Sequence, residues 1–424
     1  MYIIFILCLF GQACIFQVYS IPVHIGMKHL KSAAKFWHIS DLHLDPTYHV
    51  TEDHTKVCFS SKGVPAQDPG VFGDFLCDSP YQLILSAFSY MKQADLQPDV
   101  IANMTLTIQQ FFPQLPVYPA LGNHDYWPQD QLPTSPNAIY EAAAKLWSPW
   151  LNPEAVATVQ KGGFYSMLVK PGLRLVSLNT NLYYSPNEVT VNMSDPVGQF
   201  QWLQEALELS RQNKEKVFVI AHVPIGYLPF AMNTTAIRES YNEQLVKIFR
   251  NYSDVVQGKP VNSIFVTPAV TPIKSLSEPF SNNPSLRAYL YQPDTFALLD
   301  ILQFYLNLTE ANLERRSEWK LEYIMTEAFS IADLQPNSLH QLALRLEQSQ
   351  SKDFDKYFNH FMVSYNSSIT CEGLCKIVQR PHTLSRDPSL GFCLLRLSAE
   401  EVMSLEPEFE EAHISIRDAL KGLM

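Results

Sequence analysis

Through about residue 300, short apolar runs of strand length alternate with longer runs whose apolar positions recur at helical spacing. FWHIS (36–40), VYPAL (117–121), LRLVSLN (173–179), KVFVIAH (216–222) and NSIFVTP (262–268) read as buried strands. YQLILSAFSYMKQ (81–93) and the stretches near 139–150, 197–212 and 236–250 read as amphipathic helices. The alternation predicts an α/β (α+β) layered sandwich with helices outside the sheets. From about Phe304 to Ile377 the pattern becomes mostly helical, LTEANLERRSEWKLEYIM and LHQLALRLEQS being the clearest runs. The expected organisation is a leader over 1–20, a core domain over 36–300, a helical C-terminal subdomain over 301–379 and a divergent, acidic tail over 380–424.

The leader, MYIIFILCLFGQACIFQVYS, holds an apolar run too short to span a bilayer and small residues, Ala13 and Ser20, at which cleavage is feasible. It reads as a secretory signal peptide, although a basic start is missing. No later stretch approaches the ~18 apolar residues of a membrane span. Sequons at Asn103, Asn192, Asn233, Asn251, Asn307 and Asn366 agree with export and glycosylation, outside the cell or in lysosomes. So do the cysteines beyond the leader. Cys58 and Cys77 would close one small loop and Cys371 and Cys375 a smaller one, which leaves Cys393 over. Composition changes the picture in one respect. A net charge of -11 excludes a face for nucleic-acid polymers, which need a basic stripe, but not a small phosphate ligand beside a metal ion.

Three short segments, each just after a strand-like run, carry the candidate chemistry: Asp41-Leu42-His43, Gly122-Asn123-His124-Asp125, and His222 at the end of KVFVIAH. Strand C-termini are where α/β folds bind ligands, and Asp, His and Asn together suit a borderline cation such as zinc.

FWHISDLHLDPTYH, PALGNHDYWPQDQLP, SLNTNLYY and IAHVPIGYLP together resemble the acid sphingomyelinase-like phosphodiesterases, nearest their 3a subgroup, within the calcineurin-like metallophosphoesterase superfamily. The resemblance covers roughly residues 36–377. It implies two metal ions, usually zinc, and hydrolysis of a phosphodiester or pyrophosphate in a small phosphodiester, nucleotide or phospholipid head group. Asp41 and His43 match ligands of the first ion, and Asn123 and His222 ligands of the second. His124 matches the residue that contacts the substrate phosphate, and Asp125 would orient it. Cys58 and Cys77 match a structural disulfide region. The oligomeric state is left open.

Two pieces of the family pattern are missing. The strand ending in Gly-Asp, whose aspartate bridges both ions, is absent between helix 81–93 and the IANMTLTIQQFF stretch. Gly73-Asp74 lies in a proline-rich loop and reads as a turn. A Gly-His-x-His motif, one ligand for each ion, is absent after Gly258. Two dications ~4 Å apart repel by about 17 kcal/mol at an effective dielectric of about 20, and the bridge normally offsets that repulsion. The sequence therefore predicts reduced or no metal occupancy. The alternative to an active enzyme is an impaired, splice-type variant acting as a non-enzymatic secreted glycoprotein. Aromatic residues in the loops 126–133, 182–186 and 225–229 could stack a base, shield an acyl chain or simply pack.

Overall fold

The computed structural model describes residues 33–93, 104–226, 235–256, 264–274, 281–346, 348 and 351–371. The leader, both junctions at the missing pieces, Cys375, Cys393 and the tail lie outside the described residues.

In chain order the elements are β1 (Ala34–His38), α1 (Tyr81–Gln93), α2 (Met104–Phe111), α3 (Ala138–Trp147), α4 (Pro153–Gly162), β2 (Tyr165–Lys170) and β3 (Leu173–Leu178). There follow α5 (Gln199–Gln212), β4 (Lys216–Ala221), α6 (Glu239–Asn251), β5 (Ser285–Tyr291), β6 (Leu298–Leu306) and α7 (Leu308–Glu314). Then come β7 (Trp319–Ile324), α8 (Met325–Phe329), α9 (Pro336–Leu346) and α10 (Lys352–Phe361). The strands form two sheets. One is antiparallel, in the order β1-β5-β6-β7; the other, β2-β3-β4, pairs β3 with β4 in parallel through the α5 crossover. Helices cover both, as the layered α/β expectation required.

Each sheet has its own core. In the antiparallel sheet, Trp37, Leu286, Ala288, Leu290, Leu302 and Phe304 point one way, onto α1 and α2. Tyr289 and Ile301 point the other way, onto α9 and α10. That second face also carries a polar row with one residue per strand: His38, Arg287, Gln303 and Tyr323 are successive partners across the ladder. Around the parallel pair, Leu175, Val176 and Leu178 pack with Tyr140, Phe200, Leu203 and Leu245.

Several expectations need correction. VYPAL (117–121) is buried throughout but joins neither sheet. Its carbonyls are taken by side chains instead: Tyr165 Oη and Ser177 Oγ donate to Pro119 O at 2.9 and 3.3 Å, and Asn181 Nδ2 to Leu121 O at 2.7 Å. An apolar run signals burial, and burial without a neighbouring strand leaves no ladder. Of NSIFVTP, residues 264–268 form no strand; just beyond them Ala269 lies between the ends of β1 and β5, bridged to Ser40 and accepting Ser285 N at 3.1 Å. Val270 N and Thr271 N there donate to Ser40 O and Asp41 O at 3.0 and 2.9 Å. The run LTEANLERRSEWKLEYIM is not one helix. Arg315, at φ 51°, stops α7, and WKLEYI becomes β7 against β6. Residues 301–324 therefore largely complete the antiparallel sheet, with the short α7 between β6 and β7, and the mostly helical part expected from 301 begins at Met325.

Candidate metal and phosphate site

The D-x-H segment leaves β1 through a strained turn. Asp41 and His43 have φ of 48° and 33°, in the left-handed region that ordinary residues avoid, and this places both side chains on one side of the chain. Asp41 Oδ1 lies 3.4 Å from His43 Nε2 and 4.0 Å from His222 Nε2. His222, just past β4, approaches Asn123 Oδ1 to 2.7 Å. The His43 and His124 rings lie 4.7 Å apart between centroids. All five residues thus meet in one cleft between the two sheets' strand ends.

The second and third segments are fastened by one short piece of chain. Asn181 Nδ2 holds Leu121 O, just before Gly122, while Thr180 Oγ1 accepts Val223 N at 2.9 Å, just after His222. This is what the asparagines of SLNTNLYY do: they build the frame and leave the chemistry to others. Gly163 adds to the frame. It caps α4 at φ 76°, and a Cβ there would fall 2.7 Å from Leu121 Cδ1, so only glycine lets α4 close on the segment.

Two carboxylates that the sequence did not single out complete the geometry. Asp78 Oδ1 sits 3.1 Å from His43 Nδ1, on the far side of the ring from Asp41. Asp130 Oδ1 accepts Asn123 Nδ2 at 2.7 Å, which turns the amide so that its oxygen faces His222. Asp78 is legible only once the Cys58–Cys77 disulfide and the loop it closes are known, since 35 residues separate it from His43. Asp130 is nearer, seven residues after Asn123, and its N donates to Asn123 O at 3.1 Å to close the loop between them.

Asp125 closes the GNHD turn, its Oδ2 accepting Gly122 N at 2.7 Å. At His124 Nε2 the described partner is the Gln129 amide, 3.1 Å away. Asp74 is a turn residue as expected: its carboxylate accepts Gln67 N, Asp68 N and Leu76 N at 3.1, 2.8 and 2.9 Å.

Electrostatics divide the cleft. Burial would lower the pKa of His43, but hydrogen bonds and charge from Asp41 and Asp78 override it and raise it to about 10. Burial would raise Asp41, yet the His43 hydrogen bond and the His222 and His43 charges hold it well below the usual carboxylate range. His124 is lowered, first by burial and then by the charge of His43. As cation ligands the residues have the right chemistry: a carboxylate oxygen, an amide oxygen and two imidazole nitrogens. Among the described residues Asp41 pairs with His43 and Asn123 with His222, two donor atoms in each pair, where a catalytic zinc takes three protein ligands.

Comparison with known proteins assigns the chain. Residues 34–257 match the calcineurin-like phosphoesterase family, and residues 259–389 match the acid sphingomyelin phosphodiesterase C-terminal region. The human (Homo sapiens) cyclic GMP-AMP phosphodiesterase SMPDL3A is 54% identical, covering 86% of this chain and 90% of its own length. That match runs over 409 positions, more than 86% of a 424-residue chain supplies, so the relative carries residues with no counterpart here. Acid sphingomyelinase-like phosphodiesterase 3b of Mus musculus is 37% identical over 81% of this chain and 86% of its own. Sphingomyelinase phosphodiesterase C of Dictyostelium discoideum is 32% identical over 89% and 94%. The chain belongs to the calcineurin-like phosphoesterases, in the acid sphingomyelinase-like branch of metal-dependent phosphoric diester hydrolases.

Proposed function

We propose that this chain is a secreted phosphodiesterase-type glycoprotein that binds a small phosphodiester, a nucleotide or a phospholipid head group in the cleft. Its hydrolytic power is impaired because its zinc centre is incomplete. The carrying observation is the pair of half-sites that meet at Asp41 Oδ1, 3.4 Å from one imidazole and 4.0 Å from the other. Asp41 and His43 would hold one zinc position and Asn123 and His222 the other. His124 would face the phosphate, with Asp125 shaping the turn that presents it.

Two further observations support the incomplete centre. No Gly-His-x-His occurs in the sequence, and the human relative has the extra residues noted above. Without a third ligand on each side and a second bridging carboxylate, repulsion between two dications is poorly offset. No hydrolytic step is therefore assigned to a metal pair in this chain. Export is supported by the Cys58–Cys77 disulfide and by the exposed sequon asparagines Asn192, Asn251 and Asn366.

The test is the metal content of the purified full-length protein, with hydrolysis of a chromogenic phosphodiester at acidic and neutral pH. Well under two zinc ions per chain, with turnover barely above background, is the expected result. Restoring the Gly-Asp strand and the Gly-His-x-His segment should raise both together. A full pair of ions, with turnover abolished by His124→Ala, would refute the impairment.

A further inference from the structure

Trp127 stands apart from the other tryptophans. The chain has six, and of these Trp37, Trp147 and Trp319 are buried, Trp150 and Trp202 half-buried, and Trp127 is 82% exposed. Leaving an indole in water forfeits ~25 cal/mol for each Å² of apolar surface that burial would recover. Its neighbour Tyr126 packs against the core around the parallel strands, so the loop is anchored by one aromatic ring and presents the next.

The loop is also stiff and is made of site residues. Asp130 N and Asn123 Nδ2 cross-link its two ends at 3.1 and 2.7 Å. Gln129 reaches His124, and Gln131 N donates to Pro128 O at 3.2 Å. A loop closed this way fixes where its backbone presents the indole, so a ligand that uses it spends little on ordering the chain. Three residues separate Trp127 from His124, a backbone reach of at most ~10 Å.

We propose that Trp127 is the platform on which the base of a nucleotide ligand stacks when its phosphate lies at His124. This rests on the phosphate-binding role given to the cleft above. A single free indole face suits a flat base, whereas a quaternary ammonium head group is recognised by a cage of several aromatic rings. Among the described residues no ring stacks on Trp127, so its faces are open for one base and do not build a cage.

The experiment measures binding of AMP, phosphocholine and inorganic phosphate to the full chain by calorimetry and by quenching of tryptophan fluorescence. AMP should bind more tightly than phosphate and quench the exposed indole. Trp127→Ala should weaken AMP about tenfold, ~1.4 kcal/mol and within the range of one stacked base, while leaving phosphate unchanged. Trp127→Phe should keep most of the AMP affinity. Leu313→Ala, which alters an apolar residue 84% exposed on a helix without site residues, should change nothing. AMP binding no tighter than phosphate, an equal loss of both ligands in Trp127→Ala, or a selective loss of phosphocholine would overturn the platform alone. Failure of AMP and phosphate to bind at all would overturn both the platform and the phosphate role of the cleft.

Discussion

His38 and His43 lie five residues apart where β1 ends, one in the sheet and the other in the turn beyond it, and their surroundings pull them in opposite directions. His38 is half-buried, hydrogen-bonded through Nδ1 to the Thr267 hydroxyl and paired across the ladder with Arg287. Burial first, and then the guanidinium charge, push its pKa down to about 3, against the weaker pull of Asp41. His43 sits between two carboxylates and is pushed up to about 10. The same side chain is a neutral member of a polar row in one region and a cation in the other. The difference shows what each region is for. The row His38–Arg287–Gln303–Tyr323 ties the sheet to the segment 264–271, since Arg287 also donates to Val266 O at 2.8 Å. The cleft gathers two carboxylates, Asp41 and Asp78, around one imidazole.

Substitutions test how far the two regions act apart, and the largest effect is expected at Asp41. Replacing it with Asn removes the carboxylate that touches both half-sites. Zinc affinity by calorimetry should fall by more than ~100-fold, beyond what outer partners of a ligand contribute. A loss under tenfold would mean that Asp41 is not at the centre of the cation site.

Arg287→Met should act on stability instead. It removes a buried guanidinium that donates to Gln303, Val266 O and Tyr323, and should cost about 2–3 kcal/mol in denaturant unfolding. Zinc binding should survive in the folded variant. If zinc affinity fell in step with Asp41→Asn, the two regions would be one unit, and the contrast drawn here would fail.

A third test is the pH dependence, where the two histidines should shape opposite limbs. A folded-state value raised to about 10 makes the His43 contribution complete below its ordinary ~6.5 and lost as pH climbs toward 10. A value lowered to about 3 makes the His38 contribution complete above ~6.5 and lost as pH falls toward 3. Asp41, also depressed, adds to the loss in acid. Metal-free protein should therefore be most stable near pH ~6.5 as far as these groups decide it. His38→Gln should flatten the acid limb of a melting-temperature profile and His43→Gln the alkaline limb. Flattening of the wrong limb by either variant would contradict the assignment.

Much of this fold was legible in residue order because it is built from local patterns. YQLILSAFSYMKQ is a helix over the expected residues, and LRLVSL and KVFVIA pair as parallel strands. Where the pattern misled, the deciding partner was remote in sequence. VYPAL has the composition of a strand, yet a strand exists only if another lies beside it, and here Tyr165, Ser177 and Asn181 take its carbonyls. WKLEYI fits a helical stripe as well as a strand, and the edge offered by β6 decided the matter.

The sequence by itself determined which donor atoms this protein can bring to a cation and which family it belongs to. Those depend on residue identity at Asp41, His43, Asn123, His124 and His222 and on the motifs around them. It also determined that the Gly-His-x-His segment is missing, because a motif is either written in the chain or not. Only the tertiary structure decided the protonation of His38 and His43, the roles of Asp78 and Asp130, and the exposure of Trp127 beside a buried-side neighbour. The physical reason is common to all of these: electrostatic fields and burial are set by whatever folding brings within a few ångströms, and most of those neighbours lie far away along the chain.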